Sequence, residues 1–350
     1  MELRIYNSNM EFLGIIDNYT SLLWTRKYYE TGTFELQMPF SLSNYALIEE
    51  GNLIWKDGSK EAGVIEYITQ VQDSTSNTIK AQGRFLSSYL DRRLIKGTYS
   101  VSNGKVEEVM QTLLNSATAI PKVECGELQG YTEKVTFQAT YKNLLTYEQK
   151  LSKYADIAYR LRPDFVTKKI YFETYRGLDR TIDQNDRERI VFSEGFNNLQ
   201  SATYTYNTQL EKNVCYVGGE GEGSARTIVI AGDNSLTGLA RKEEFLSATD
   251  ISSDDMTTTD YQAALLQRGV DKLNEDAISE SFESACYANS NFEYKTDYDL
   301  GDIVTIKKES WGLQINLRIT QIQETYENES TKVELTFGTT IPETIDWTDS

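Results

Sequence analysis

Short runs of alternating apolar and polar residues dominate both ends of the chain. "ELRIYN", "LLWTRKYY", "TFELQMP", "LIWKD", "GVIEYITQVQ" and "TIKAQG" follow one another early on, separated by Gly, Asn, Ser and Asp. Alternation rich in Val, Ile, Thr and Tyr turns one face of a pleated strand inward, so this region reads as a strand meander. The pattern changes in "AQGRFLSSYLDRRLI", Ala81 to Ile95, where Phe85, Leu86, Tyr89 and Leu90 fall on one face of a short helix. A helix of about two turns is marginal alone, so that face is expected to be buried, as a plug in one mouth of the preceding β unit. Arg84, Arg92 and Arg93 surround it. Guanidinium groups at a helix C-terminus can serve its own carbonyls or a neighbour's carboxylates, which makes these three the candidate interface residues.

The middle of the chain has helical spacing. Val106, Val109, Met110, Leu113 and Leu114 form one stripe after Gly104. Leu144, Tyr147, Leu151, Tyr154, Ala155 and Ala158 form a second, with Pro163 just past its expected end. Both stripes read as domain core. "KKIYFETY" then predicts a strand and "RGLDRT" a turn. Strands resume from "RIVFSEGFNNLQSATYTYNT", and a third helix is expected over roughly Asp260 to Leu273, carrying Leu265, Leu266, Val270 and Leu273. "DIVTIKK", "LQINLRITQIQETYE" and "KVELTFGT" close the chain as strands.

The two strand-rich ends echo each other. "ITQVQ" at Ile68–Gln72 recurs as "ITQIQ" at Ile319–Gln323, an offset of 251 residues. "EEGNLIW" around Gly51 parallels "DLGDIVT" around Gly301, an offset of 250. "TIKAQG" ending at Gly83 parallels "VELTFG" ending at Gly338, in a hairpin four residues longer. This alignment sets Ile68 beside Ile319 and Gly83 beside Gly338, and predicts one β unit occurring twice. Short-stranded sheets avoid adhesive edges most simply by closing into small barrels. The expected fold is α+β and predominantly β. Residues 1–100 form a first β-barrel domain with a closing helix, and 101–190 an inserted mixed α/β domain. Residues 191–350 form a second β-barrel domain with a helical insertion near 240–280.

Composition narrows the chemistry. The 350 residues carry 35 Lys and Arg against 53 Asp and Glu, a formal charge of −18. That opposes binding to nucleic-acid phosphates. It suits either solubility of a large assembly or an acidic wall past which DNA moves without sticking. There is no histidine, which removes the usual general base, the commonest metal ligand and every Ser-His or Cys-His nucleophile. Cys125, Cys215 and Cys286 have neither zinc nor redox spacing and read as buried free thiols. The glycine-rich "VGGEGEGS", Val217 to Ser224, places Glu220 and Glu222 where a phosphate cradle needs bare amides, so it reads as a tight turn. In "DQNDRE", Asp183 to Glu188, Arg187 stands where a calcium loop needs its third oxygen ligand. No pair of carboxylates is marked out for glycoside cleavage. No apolar run approaches the ~20 residues that cross a bilayer, and the start has no apolar signal core. No cofactor or metal is expected.

Several stretches occur together in an informative order. These are "GRFLSSYLDRRLI", "RGLDRT" before "VFSEGFNNL", "NVCYVGGEGEG", "GLARKEEF", "QRGVDKL" and the closing "DYDLGDIVTI…RITQIQETYE…TFG". The ordered set resembles the baseplate hub, or tail-associated, proteins of long-tailed bacteriophages and related tailocins, from Met1 to about Pro342. The resemblance implies two similar β-barrel domains around an inserted α/β portion. It implies a homotrimeric ring of near-sixfold symmetry that docks on a hexameric tail. The implied role is structural and not enzymatic: a virion protein at the tail tip, assembled in the host bacterial cytoplasm, closing the tail tube's distal end. Implied partners are further copies of the chain, the distal tail protein hexamer, the tape-measure protein, and a tail tip, fibre or lytic subunit. Its channel would pass the tape measure and DNA, with no specific nucleic-acid binding and no membrane insertion. Many relatives continue into a peptidoglycan-cleaving or fibre-like region, whereas "ETIDWTDS" ends this chain soon after the second barrel. Lytic or receptor-binding activity is then expected of another subunit. Two other readings stay open: a glycan-binding module using Trp24, Trp55, Trp311 and the many tyrosines, and a histidine-free glycosidase.

Overall fold

The structure, a computed structural model, describes residues 2–199, 201–254, 256–286, 291–327 and 330–338. "ETIDWTDS" lies outside these residues, as does the Cys286 side chain.

The first unit holds β1 (Leu3–Tyr6), β2 (Phe12–Ile16), β3 (Ser21–Lys27), β4 (Thr33–Pro39), the short helix α1 (Leu42–Leu47), β5 (Leu53–Lys56), β6 (Ala62–Val64), β7 (Tyr67–Gln72) and β8 (Asn77–Arg84). Alternation does its expected work: Leu22, Trp24, Leu36, Met38, Ile79 and Ala81 all turn into one core with Leu3, Ile5 and Ile54. The strands order as β2-β1-β5-β6 in one sheet and β3-β4-β8-β7 in the next. The chain passes from β6 to β7 at a bend, where Glu66 N donates to Gln82 O at 3.0 Å.

The helix expected after Gly83 is a 3-10 helix, Leu86–Arg92, and it does not plug a barrel mouth. Phe85 enters the first unit's core beside Trp24, with ring centroids 4.6 Å apart. Leu86 and Leu90 enter a different core, shared with the inserted domain. The segment is a rivet between two cores. The change of direction falls at the junction, because Phe85 is the extended residue before the helix while Leu86, Tyr89 and Leu90 of the helix itself all face the second core.

The inserted domain comprises β9 (Thr98–Lys105), α2 (Val106–Ser116), β10 (Val123–Cys125), β11 (Lys134–Thr140), α3 (Leu144–Ala155), β12 (Ala158–Asp164) and β13 (Lys169–Tyr175). The two predicted stripes are α2 and α3, and both are core. Asn143 caps α3 by accepting from Thr146 N at 3.0 Å, and Asp156 ends it in the left-handed region at φ 54°. That stop comes earlier than expected. Ala158 and Pro163 lie in β12, with Pro163 opposite Ile170 in the β13 ladder, so proline is not the breaker.

The second unit contains β14 (Val191–Ser193) and β15 (Thr203–Asn207), then a side layer of β16 (Val214–Gly218), β17 (Ile228–Gly232), β18 (Glu243–Ser247) and α4 (Thr258–Glu275). It resumes with β19 (Ser279–Cys286), β20 (Ile303–Lys308), β21 (Leu313–Glu327) and β22 (Ser330–Gly338). The side layer thus contains a three-stranded sheet, β17-β16-β18, beside the expected helix.

The duplication is visible in hydrogen bonds. Gly51 N donates to Ile65 O and Ile65 N to Asn52 O, both at 2.9 Å. Gly301 N donates to Ile319 O at 2.9 Å and Ile319 N to Asp302 O at 2.8 Å. Both glycines have positive φ, 84° and 96°, as this tight exchange requires. From these anchors five strand positions correspond: β3, β4, β8, β7 with β6, and β5 match β15, β19, β22, β21 and β20. The residue pairing differs from the sequence alignment, however. Ile68 faces Ala81 and Ile322 faces Leu335, so Ile68 corresponds to Ile322 and not Ile319. Gly83 likewise corresponds to Phe337, through their partners Phe34 and Phe282. Short alternating runs match one another at several offsets, and the glycine turn selects among them.

Among the described residues no ladder closes into a barrel. Instead β21 pairs with β3, which fuses the two units into a ten-stranded sheet whose main path runs β15-β19-β22-β21-β3-β4-β8-β7.

Candidate assembly interface

The seam between the units is antiparallel, with Gln321 opposite Lys27, Gln323 opposite Thr25 and Glu327 opposite Ser21. Its inner face carries charge. Lys56 Nζ is paired with the Glu324 carboxylate, with side chains 1% and 3% exposed. Lys56 also donates to Tyr326 Oη at 3.1 Å and lies 5.4 Å from the Trp24 ring centroid. Alongside, Arg26 donates to Glu61 through Nε and NH2 at 3.2 Å each, to Tyr294 Oη at 2.9 Å and to Asp299 at 2.5 Å. Lys295 completes the group at 3.6 Å from Glu324. Three cations thus face three carboxylates. Burial pulls the Lys56 ammonium down to about 8 despite Glu324. Burial pushes the Glu324 carboxyl the other way, but Lys56 and Lys295 hold it below its ordinary value. The pair is charged at neutral pH.

A second pin joins all three parts of the chain. The Asp156 carboxylate accepts from Tyr29 Oη at 2.6 Å and is paired with Arg318 of β21. Arg318 also donates to Gly301 O and lies 5.0 Å from the Tyr28 ring. Beside it, Gly177 of "RGLDRT" approaches so closely that a Cβ would stand 1.9 Å from Gly301 O.

The three predicted arginines separate. Arg84 forks onto Glu66, Nε to Oε2 and NH2 to Oε1 at 2.9 Å each, and reaches Asp91 at 2.8 Å, so it is spent within the first unit. Arg93 crosses to the inserted domain, Nε donating to Thr118 O at 2.9 Å and NH2 to Ala119 O at 3.4 Å. Arg92 lies over Tyr89 at 4.8 Å and 3.8 Å from Glu66, with half its side chain exposed.

The other candidates scatter. Trp24 is wholly buried, Trp55 is covered by Phe165 and Arg4, and Trp311 is exposed on the β20–β21 turn, so the three do not share a sugar platform. The glycine-rich loop is a structural turn: Glu220 accepts from Ser253 N and Oγ, and a Cβ on Gly219 would meet Tyr261 Oη at 2.2 Å. In "DQNDRE" Gln184 accepts from the amides of Asp186 and Arg187, and no metal-holding cluster exists among the described residues. Cys215 is buried and Cys125 half-buried. Sequence reading missed Arg26, Lys56 and Glu324. A signal was present, since each occupies the inward phase of its strand, with Trp24, Ile54 and Ile322 respectively.

Comparison with solved structures shows the same fold across the chain. The Shewanella oneidensis prophage MuSo2 43 kDa tail protein is 14% identical with a TM-score of 0.59, covering 96% of this chain and 98% of that one. The tail protein of Neisseria meningitidis MC58 gives 11% identity and a TM-score of 0.60, covering 97% and 96%. Prophage tail protein gp18 of Listeria monocytogenes EGD-e gives 12% and 0.58, covering 98% and 95%. A search by sequence among curated proteins gives no match. The profile of the family described as Siphovirus ReqiPepy6 Gp37-like protein matches residues 2–339, so the chain belongs to that family.

Proposed function

We propose that three copies of this chain form the hub ring that closes the distal end of a phage tail tube. The coarser assignment, a structural protein of the phage tail, has the support of family and fold together. The observation that favours a ring is the repeated five-strand unit. Two like units per chain, three chains per ring, present six quasi-equivalent faces to a hexameric tube, whereas a single unit would need six chains. Each five-strand unit then stands for one barrel of the ring. The distal tail protein would lie on one side, and a tip, fibre or lytic subunit on the other. The channel would hold the tape measure and later pass DNA. A charge of −18 suits a wall that phosphates slide past. Arg92 is the guanidinium left to reach a neighbouring subunit.

Native mass measurement tests this. A species of three times 39.9 kDa is expected. A chain that stays monomeric at micromolar concentration, and is not threefold in the particle, would sink the ring.

A further inference from the structure

Three side chains at one junction are buried without a hydrogen bond among the described residues: Glu148 of α3, Tyr159 of β12 and Ser88 of the 3-10 segment. Glu148 and Ser88 are 0% exposed and Tyr159 4%. The three elements pack against one another. Thr31 and Gln149 flank the Tyr159 hydroxyl, and Ser87 Oγ donates to Thr31 Oγ1 at 3.3 Å. This polar patch therefore spans the contact between the first unit and the inserted domain. Folded proteins seldom leave such groups unpaired, because each keeps its desolvation cost without a bond in return.

What faces Glu148 decides its charge. Tyr159, Tyr99 of β9 and Cys125 of β10 lie within reach of its carboxyl, and burial keeps all three protonated at neutral pH. On α2, Glu107 is spent on the amides of Gln129 and Gly130, and Glu108 on Lys105. On the 3-10 segment, Arg92 lies over Tyr89 and Asp91 accepts from Arg84. Arg268 and Asp271 of α4 face the side of α3 that carries Tyr147 and Lys150. Glu30 of the first unit pairs with Lys27 and Lys153. No cation among the described residues offsets the burial of Glu148, which alone raises its carboxyl well above the ordinary range. An unpaired carboxylate in an apolar core is far costlier than a neutral carboxyl, so the closed junction holds the acid form.

We propose that Glu148 is a proton-operated latch between the inserted domain and the first unit. With its proton in place, α3 closes on the 3-10 segment and β12. Without it, the carboxylate draws water into the junction, and Tyr159 and Ser88 gain partners in the same step. The part that opens is the seven-residue 3-10 segment, whose hydrogen-bond geometry is weaker than that of α3 or β12. The closed form holds a proton that the open form releases. Closure is therefore favoured fully below the ordinary value of 4.5 and is lost as pH rises toward the raised one. The latch acts within one chain and does not depend on the ring.

Hydrogen exchange over residues 86–93 and 144–157 tests this, corrected for the intrinsic pH dependence of amide exchange. In the parent chain the open fraction should rise with pH toward the one-proton limit of about tenfold per unit. It should stay level in Glu148→Gln, which keeps the shape without the titration. Glu148→Leu should behave alike, and carries the test if the Gln variant does not fold. Amides of β16 to β18, beside the separately titrating Glu244, are the reference and should match in all three chains. Infrared difference spectra of parent against variant at neutral pH should show the parent's protonated carboxyl band. Equal pH slopes in parent and variants would overturn the latch. So would a carboxylate band in place of the carboxyl, since Glu148 would then be charged in the closed form.

Discussion

The Lys56–Glu324 pair is the sharpest place to test how the two units are held together. Breaking one side of a buried ion pair typically costs ~3–5 kcal/mol, because the remaining charge stays in the core. Here both survivors keep some help. After Glu324→Gln, the Lys56 ammonium retains the Tyr326 hydroxyl at 3.1 Å and the Trp24 and Tyr326 rings at 5.4 and 5.1 Å. After Lys56→Met, Glu324 retains Lys295 at 3.6 Å and the Tyr294 hydroxyl at 3.4 Å. Each single variant should therefore lose about 3 kcal/mol, the low end of the range. Replacing both, Lys56→Met with Glu324→Leu, leaves no charge to desolvate and should lie within ~1–2 kcal/mol of the parent. The resulting coupling is roughly 4 kcal/mol, in the span measured for close charge pairs. Denaturant titrations near neutral pH would measure it, with indole fluorescence reporting the Trp24 environment. Single variants that each lose under about 1 kcal/mol, or a double variant that loses their sum, would refute the argument that this seam is locked by its charges.

Glu244 gives a pH signature. Burial, then the nearby Asp276 carboxylate, raises its carboxyl from 4.5 to about 7. The folded state therefore holds a proton that the unfolded state releases, so its contribution to stability is lost as pH rises from 4.5 through 7. Glu244→Gln should match the parent at pH 4 and exceed it at pH 8 in urea midpoint; equal gaps at both would contradict this. Arg92→Glu with Arg93→Glu should leave the first unit folded by circular dichroism but shift the monomer–ring balance toward monomer. Assembly at the parent's dilution would show that neither arginine serves the ring.

How much of this was legible before the structure depended on range. Strands came through because inward residues such as Leu22, Trp24 and Leu36 recur with period two. Helix α4 came through with a small error at each end, Thr258–Glu275 against Asp260–Leu273, since its Thr257 cap lies before the apolar stripe begins. Pro163 misled because a proline in a hairpin strand can sit opposite Ile170 without ending a helix. The repeat was seen, but its register needed the Gly51 and Gly301 turns. The seam was invisible, because β3 and β21 lie at opposite ends of the chain and nothing local says which edges meet. Glu148 carried a signal that went unread: it stands four residues after Leu144 and three before Leu151, on the apolar stripe of α3, and packing buries it completely, with neither oxygen partnered among the described residues.

Fusing two units through β3 and β21 has a consequence for timing. Strands tethered in one chain meet at an effective concentration of order millimolar, far above that of separate molecules in a cell. The internal seam therefore zips first and at any expression level, with its ion pairs enclosed within each chain. In the proposed ring, a misplaced subunit would then leave without undoing its own fold.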